Sequence, residues 1–289
     1  MGTGKKEKNI KKGKEPKFYK SPNGMNMLNY RVYYMSIPER IFYFLAAFLA
    51  GAFVGYLFYG GVGVDEFGAP TKFTYLWNMA IMAAAGIMTA KLFFPIRTQQ
   101  LRTARQNKLK SQFRDMLEAV TTSLGAGKNV QESFSAAYDD LKHQYEQDAF
   151  ILHELMAINT GMINGITVEK LLAHFGARSG CEDIVDFANV FEICFRKGGN
   201  IKETVRITYE ILSDKMAVAE EIETIVSGSK SQQTLMLFMP VILIALIKMT
   251  SAEFAANFVT PVGLLATTVG VLIFAASYFV GRKVLDIKI

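Results

Sequence analysis

The sequence has few of the side chains that build metal centres, disulfide frameworks or hydrolytic sites. Its two cysteines, Cys181 and Cys194, stand 13 positions apart, and its three histidines are scattered. His153 and Glu154 begin a zinc-protease motif, but Ala157 stands where the second histidine belongs. The sequence therefore predicts no enzyme, no cofactor and no metal site.

A phosphate-binding loop is also missing. The run Gly125-Ala126-Gly127-Lys128 is similar to the end of one, but Thr122 stands where its first glycine belongs. Asn129 follows the lysine where serine or threonine would hold magnesium. The run also follows a predicted helix rather than a strand. These residues therefore predict a turn between two helices.

Charged residues are absent from four long stretches. The uncharged runs are 41–64, 73–90, 231–247 and 254–281. A helix needs about 20 mostly apolar residues to cross about 30 Å of hydrocarbon. We therefore predict four transmembrane helices in two pairs, at 41–61, 75–95, 234–252 and 262–281. This pattern excludes a secreted domain, a soluble enzyme and an all-β fold.

The third predicted span is the shortest, and a re-entrant hairpin is an alternative for it. Pro240 is expected to kink it, because proline removes one backbone hydrogen bond and crowds the preceding turn. Lys248 lies near one end of this span, where it reaches the interface or pairs with Glu253 inside the membrane. Lys91, near the inner end of the second span, likewise either reaches the interface or forms an intramembrane charge site.

Small residues mark one face of the first span. Gly51 and Gly55 are four positions apart, a spacing that lets another helix approach closely.

Basic residues indicate the orientation in the membrane, because lysine and arginine collect on the cytoplasmic side. Residues 97–114 carry six basic residues and no acid, whereas the linker 61–73 carries one base and two acids. The tail after the fourth span is also basic. We therefore expect a multi-pass protein of the cell (inner or plasma) membrane, with both termini and the central region in the cytoplasm.

Five regions follow from these patterns. The first 40 residues carry 10 basic and 3 acidic residues and predict a basic, disordered or juxtamembrane arm, whose partner is the lipid surface rather than nucleic acid. The predicted boundaries are 1–40 for the arm, 41–95 for the first pair of spans, 96–234 for a cytoplasmic helical domain, 235–281 for the second pair and 282–289 for a cytoplasmic tail.

The central region has the periodicity of helices. Apolar residues recur every three or four positions, as in Ile184, Phe187 and Phe191, and no sustained alternation predicts a strand. We predict an all-α protein in which three helical hairpins form an antiparallel six-helix bundle. The six helices are expected at 100–125, 130–145, 148–163, 167–179, 182–197 and 201–228, and the last is expected to run on toward the third span.

The breaks between these helices repeat. The run 127–134 is similar to 198–205, and 165–171 is a fainter third copy. In each copy glycine ends one helix by taking a left-handed conformation, and Asn129, Thr167 or Asn200 is expected to cap the next. In the two closer copies, glutamate three residues later can complete a capping box.

Taken together, these residues resemble the type II secretion F-domain family, and within it the platform proteins of Tad-type (tight adherence, Flp-like) pili, TadB more than TadC. The runs 113–117 and 124–130 resemble the first hairpin of that family, and Ala177-Arg178-Ser179 stands where it often has an Ala-Arg pair. The run 195–205 resembles its Gly-Gly-Asn turn, and 284–289 is similar to TadB tails.

The resemblance implies an inner-membrane platform that couples a cytoplasmic hexameric secretion ATPase to the assembly of pilin subunits, beside a TadC-like paralogous membrane protein, in a homo- or hetero-oligomer. It implies no chemistry. A multi-pass transporter or a membrane sensor with a helical domain is the alternative. The expected partner-facing or shape-determining residues, which otherwise only end and cap helices, are Gly125, Gly127, Asn129, Arg196, Lys197, Gly198, Gly199 and Asn200.

Overall fold

The structure, a computed structural model, describes residues 15–63 and 70–285. The described residues form nine helices and one two-stranded hairpin. The strands are β1 (Phe18–Lys20) and β2 (Asn26–Leu28). The helices are α1 (Ile37–Tyr59), α2 (Lys72–Gly125), α3 (Val130–Gln144), α4 (Phe150–Ile163), α5 (Val168–Ser179), α6 (Glu182–Lys197), α7 (Ile201–Thr250), α8 (Ala252–Asn257) and α9 (Pro261–Leu285).

The described chain divides into two compact units. The first, which we call the helical unit, contains the residues before Met35 together with 98–214. The second, the apolar unit, contains 35–97 and 215 onward. Helices α2 and α7 each contribute residues to both units.

The four inner helices agree with prediction, and α7 runs on into the third span as expected, whereas α2 is longer than expected. Helices α3 to α6 match their predicted bounds to within two residues. Helix α2 joins the second predicted span to the first predicted cytoplasmic helix, and α7 joins the sixth to the third span. Both pass through an internal proline, at Pro95 and Pro240, and α7 contains no reversal of the re-entrant kind.

The core of the helical unit is aromatic. The ring of Phe113 on α2 meets Phe175 on α5 and Phe187 on α6, with centroids 6.1 and 5.4 Å apart. Phe191 continues the row and meets Phe134 on α3 at 6.5 Å. All five rings are buried, and each buried side chain of this size contributes about 1.5–3 kcal/mol. Helix α4 packs against α3 and α5, and α5 against α6.

The N-terminal segment differs from the expected arm. Strands β1 and β2 pair antiparallel, and Asn29 and Tyr30 are buried against the helical unit. Asn23 Nδ2 donates to the Ala157 carbonyl at 3.0 Å, which attaches the hairpin to α4. Residues 15–34, which we call the strap, therefore belong to the fold of the helical unit. The expected arm residues 1–14 and tail residues 286–289 lie outside the described part of the chain.

The apolar unit supplies four helices that are long and apolar enough to cross a membrane. They are Ile37–Tyr59, parts of Lys72–Gly125 and Ile201–Thr250, and Pro261–Gly281. Near the end of α7, Lys248 Nζ stands 5.1 Å from the ring centroid of Phe258. Within the described residues no ion pair joins Lys248 to Glu253.

The small-residue face of α1 packs against α2. A Cβ atom at Gly51 would overlap the side chain of Thr89, and one at Gly55 would lie 2.6 Å from the Ala85 Cβ. A Cβ at Gly86 on α2 would in turn lie 2.6 Å from the Phe48 ring. The predicted close helix contact therefore exists, and it lies within the chain.

Candidate functional site

The first predicted turn is built as a complete capping box. Helix α2 ends at Gly125, and Gly127 takes a φ of 86°, a left-handed conformation that favours glycine. The Asn129 side chain then accepts from the Glu132 N–H at 2.9 Å, and the Glu132 carboxylate accepts from the Asn129 N–H at 3.2 Å. Two otherwise unpaired helix donors are thereby satisfied, as predicted.

The predicted turn between α6 and α7 has the same backbone conformation but only half of the capping box. Gly198 has a φ of 72° and Gly199 donates to the Cys194 carbonyl at 2.8 Å, which closes α6. The Asn200 side chain accepts from the Glu203 N–H at 3.1 Å. Glu203 instead pairs with Arg206 at 2.6 Å, and this hydrogen bond lowers the pKa of Glu203. The cap was predicted correctly; the returning glutamate bond was not.

The middle turn lacks its predicted cap. Gly165 is left-handed, with a φ of 77°, but the Thr167 side chain makes no capping hydrogen bond. That prediction was wrong. Thr167 occupies the cap position of α5 with an extended backbone, but its side chain accepts no hydrogen bond from the first N–H groups of α5. Glu169, in the first turn of α5, is buried.

Contacts along the helices place the three turns at one end of the helical unit. Toward the other end, Gln106 donates to the Gly180 carbonyl, Gln112 accepts from the Ile151 N–H, and Lys110 pairs with Asp183 at 2.8 Å. Those contacts join the α5–α6 and α3–α4 connections to the earlier part of α2. The α2–α3, α4–α5 and α6–α7 turns terminate the same helices in the opposite direction.

The eight predicted site residues are held locally. Within the described chain, their hydrogen bonds and ion pairs stay inside their own turn or helix, as in the Arg196–Glu192 pair at 3.0 Å on α6. Lys197 is exposed beside it. The structure thus presents these residues on two surface turns and on the helix ends beside them, which suits contact with a partner and does not assemble them into a reaction centre.

The most elaborate polar cluster lies elsewhere, at the base of the strap. Arg178 on α5 donates to both carboxylate oxygens of Glu154 on α4, at 3.0 and 2.6 Å. Tyr30 Oη donates to the same carboxylate at 3.0 Å. Arg178 also donates to the Leu28 carbonyl at 2.8 Å and to His174 Nδ1 at 3.1 Å. Every charged group in the cluster therefore has partners, as burial requires.

The electrostatics of the cluster follow from burial. Desolvation, reinforced by the Glu154 carboxylate, raises the pKa of Tyr30 well above its usual value. Desolvation and the positive charge of Arg178 lower the pKa of His174. Both groups are therefore neutral near pH 7, with Tyr30 as a hydrogen-bond donor and His174 as an acceptor for Arg178.

Sequence reasoning did not assemble this cluster. A signal existed, because Glu154 and Arg178 interrupt apolar helix faces that include Leu155 and Phe175, and charges on such faces need buried partners. No spacing rule pairs them with each other or with Tyr30, which belonged to the expected arm.

A groove of about 710 Å³ opens beside the strap. Burial raises the pKa of its Cys181 thiol to about 11, so this thiol is protonated at neutral pH and a poor nucleophile. Within 15–63 and 70–285, no group of three His, Cys, Asp or Glu residues is placed to hold a metal ion. The charged lining includes both signs: Glu15, Arg31, Arg102 and Glu182.

Comparisons of the chain with protein-family models, with curated proteins and with solved structures find no match.

Proposed function

We propose that this protein is an inner-membrane platform of a Tad or type IV-like pilus, or of a type II-like secretion apparatus. In this role it couples a cytoplasmic secretion ATPase to the assembly of pilin subunits. A TadC-like membrane protein is the proposed neighbour in the bilayer.

The observation that carries this proposal is the continuity of two helices. Helix α2 (Lys72–Gly125) and helix α7 (Ile201–Thr250) each contain a membrane-length apolar segment and a segment of the helical unit, with no linker between them. Apart from the one hydrogen bond that Pro95 or Pro240 cannot donate, each helix keeps its backbone hydrogen bonds in series, whereas a flexible linker absorbs displacement as conformational entropy. Force applied to the helical unit would therefore reach the apolar segments.

The glycine turns suit the proposed contact with the motor. Gly127 and Gly198 lie in surface turns, and Lys128, Arg196 and Lys197 place positive charge beside them. We propose that the helical unit is a cytoplasmic bundle of three hairpins. The end of this unit that carries the glycine turns is the proposed contact surface for the ATPase.

Helix continuity can be tested by insertion. A flexible Gly-Ser insert of seven residues between Gly228 and Ser229 is expected to lower filament assembly or secretion in the source cell strongly, because a flexible linker absorbs displacement as conformational entropy. A helical Ala-rich insert of the same length adds about two turns and preserves the helix face, so it serves as the matched control. Normal assembly with the flexible insert contradicts force transmission through α7.

The motor contact needs a separate measurement. A photo-crosslinking residue in place of Lys197 is expected to capture a secretion-type ATPase in membranes, and one in place of His143, in the last turn of α3, is the control. Purification of this chain without any such ATPase, together with no crosslink from position 197, contradicts the platform assignment.

A further inference from the structure

Two arginines are held against aromatic rings where α1 and α2 meet at one end of the apolar unit. Arg40 on α1 places its Cζ atom 5.2 Å from the ring centroid of Phe94 on α2. Arg97 on α2 places its Cζ atom 5.0 Å from the ring centroid of Tyr43 on α1 and donates to the Tyr43 hydroxyl at 3.1 Å. The contacts are reciprocal, so each helix fixes the cation of the other. We call these two residues the arginine pair.

Aromatic residues mark the other end of the same helices. Trp77 Nε1 donates to the Tyr59 carbonyl at 3.3 Å, which joins α2 to α1 there. Tyr59 lies 19 residues after Arg40, and Arg97 lies 20 residues after Trp77. At 1.5 Å per residue, both helices separate their two ends by about 30 Å, the thickness of the hydrocarbon core. The arginine pair therefore lies at headgroup depth when these helices span a bilayer.

The chemistry of the pair suits a phosphate. The exposed guanidinium of Arg40 lies over a ring with N–H donors at its edge, and these match phosphate oxygens in bidentate fashion. Arg97 is half-buried and donates to Tyr43, and it contributes a second positive charge that its ring contact holds in place. Arg40 is exposed, and the adjacent acid, Glu39, accepts instead from the Ser36 N–H at the α1 cap. The N-terminal end of α1 adds the positive end of a helix dipole at the same place.

We propose that the arginine pair is a binding site for the phosphate of an anionic phospholipid headgroup. The site rests on the assignment of α1 and α2 as membrane helices and is independent of the motor contact. Its preference for anionic over zwitterionic lipid follows from charge: an anionic headgroup keeps its net negative charge for the two arginines, whereas the ammonium of choline or ethanolamine balances the phosphate within its own headgroup and is repelled by the arginines. The site would hold α1 and α2 at a fixed depth in the bilayer.

The test is a titration of the full chain in an uncharged detergent with short-chain phosphatidylglycerol or phosphatidylcholine, followed by native mass spectrometry. The wild-type protein is expected to bind phosphatidylglycerol more tightly. The Arg40→Gln/Arg97→Gln variant is expected to bind phosphatidylglycerol about 30-fold more weakly, about fivefold for each arginine near an anionic surface. Its affinity for phosphatidylcholine, whose phosphate charge is balanced within the headgroup, is expected to fall much less.

Matched variants separate this site from general charge attraction. Lys72→Gln/Lys128→Gln removes the same net charge away from the pair and is expected to bind phosphatidylglycerol like the wild type. An equal loss in this control overturns the proposal, as does wild-type affinity in Arg40→Gln/Arg97→Gln. Inorganic phosphate that binds the wild type as tightly as phosphatidylglycerol identifies a small-anion site and overturns the lipid assignment.

Two further measurements keep the test decisive if the glutamine variant does not fold. Equal affinity of the wild type for the two lipids overturns the proposal without any variant. Arg40→Lys/Arg97→Lys keeps both charges and is expected to retain most of the preference; its complete loss in a folded protein contradicts charge recognition. No ATPase is present in these titrations, so a result that overturns the lipid site does not affect the platform proposal. A result that overturns the platform proposal likewise does not affect the lipid site.

Discussion

Arg178 and Glu154 form a buried ion pair, 2.6 Å apart at its shorter contact, with side chains that are 4% and 1% exposed. Moving two charges out of water costs several kcal/mol for each ion, which their mutual attraction and further hydrogen bonds must offset. The Tyr30 hydroxyl and the Leu28 carbonyl supply those further bonds, and both belong to the strap. The ion pair and the strap therefore depend on each other.

Removal of one partner of this pair is expected to be severe. Arg178→Met leaves the Glu154 carboxylate buried without its counter-ion, and we expect a loss of about 3–5 kcal/mol in unfolding free energy. The double variant Glu154→Leu/Arg178→Met is expected to be more stable than Arg178→Met alone. Denaturant unfolding of the purified chain measures both. Arg196→Ala breaks an exposed pair and is expected to cost under about 1 kcal/mol; a similar cost for both arginines contradicts the burial argument.

The Tyr30 hydroxyl holds the strap. Tyr30→Phe removes a buried hydrogen bond to Glu154 and is expected to cost about 1–3 kcal/mol, because one carboxylate oxygen loses a donor. Tyr30→Ala also loses the ring and is expected to release residues 15–34 to protease while 98–214 stays resistant. Limited proteolysis with mass mapping gives the answer. The control is Tyr19→Ala, because the Tyr19 ring is exposed on β1 and lies outside the buried cluster. Equal cleavage of both variants contradicts the role of Tyr30.

Protonation of His174 is expected to weaken the cluster. Its folded pKa lies below the ordinary value of 6.5, so the unfolded chain takes up a proton at a higher pH than the folded one. The contribution of His174 to the free energy of unfolding is therefore fully present above pH 6.5, and it is lost as the pH falls through the lower folded pKa. Once protonated, Nδ1 can no longer accept the hydrogen bond from Arg178.

His174→Asn, which keeps an acceptor but does not titrate, provides the comparison. The difference in melting temperature between wild type and variant is expected to be constant above about pH 7 and to shift against the wild type as the pH falls below about 6.5. A difference that does not change with pH contradicts this coupling.

The three turns are expected to differ in their sensitivity to cap removal. Asn129→Ala and Asn200→Ala each remove an observed capping bond and are expected to cost about 1 kcal/mol. Thr167→Ala removes no such bond and is expected to cost much less, which makes it the matched control. Thermal or denaturant unfolding ranks the three variants. An unchanged stability of Asn129→Ala would remove the capping-box assignment.

The close contact of α1 with α2 is expected to tolerate no added side chain. Gly51→Leu and Gly55→Leu drive methyl groups into Thr89 and Ala85, and overpacking of this kind typically costs about 1–3 kcal/mol. Gly270 has no neighbouring atom within 4 Å of a Cβ, so Gly270→Leu is the control. Melting temperatures in detergent should fall for the first two variants and stay near the wild type for the third. An equal response of all three contradicts close packing at this face.

Local chemistry explains what could be read in advance. The ends of α3 to α6 follow from glycine and cap residues within a few positions of each break, such as Gly198 and Asn200, and the apolar stripes identified buried residues such as Phe113 and Phe187. The uncharged runs identified the four membrane-length helices. The capping details were less accurate, because a glutamate such as Glu203 has a competing partner, Arg206, one turn away.

The sequence by itself determined the helical character, the turns and the apolar segments, because each depends on residues close together in the chain. Tertiary structure decided the rest. The strap is ordered only through contacts such as Tyr30 with Glu154, 124 positions away, and Leu28 with Arg178, 150 positions away. Likewise, Gly51 and Gly55 predicted a close contact, but only the folded chain shows that α2 provides the other side. Such pairings carry no local signal in the sequence. The entropy cost of closing a long loop is offset only by the whole set of contacts that the closed loop makes.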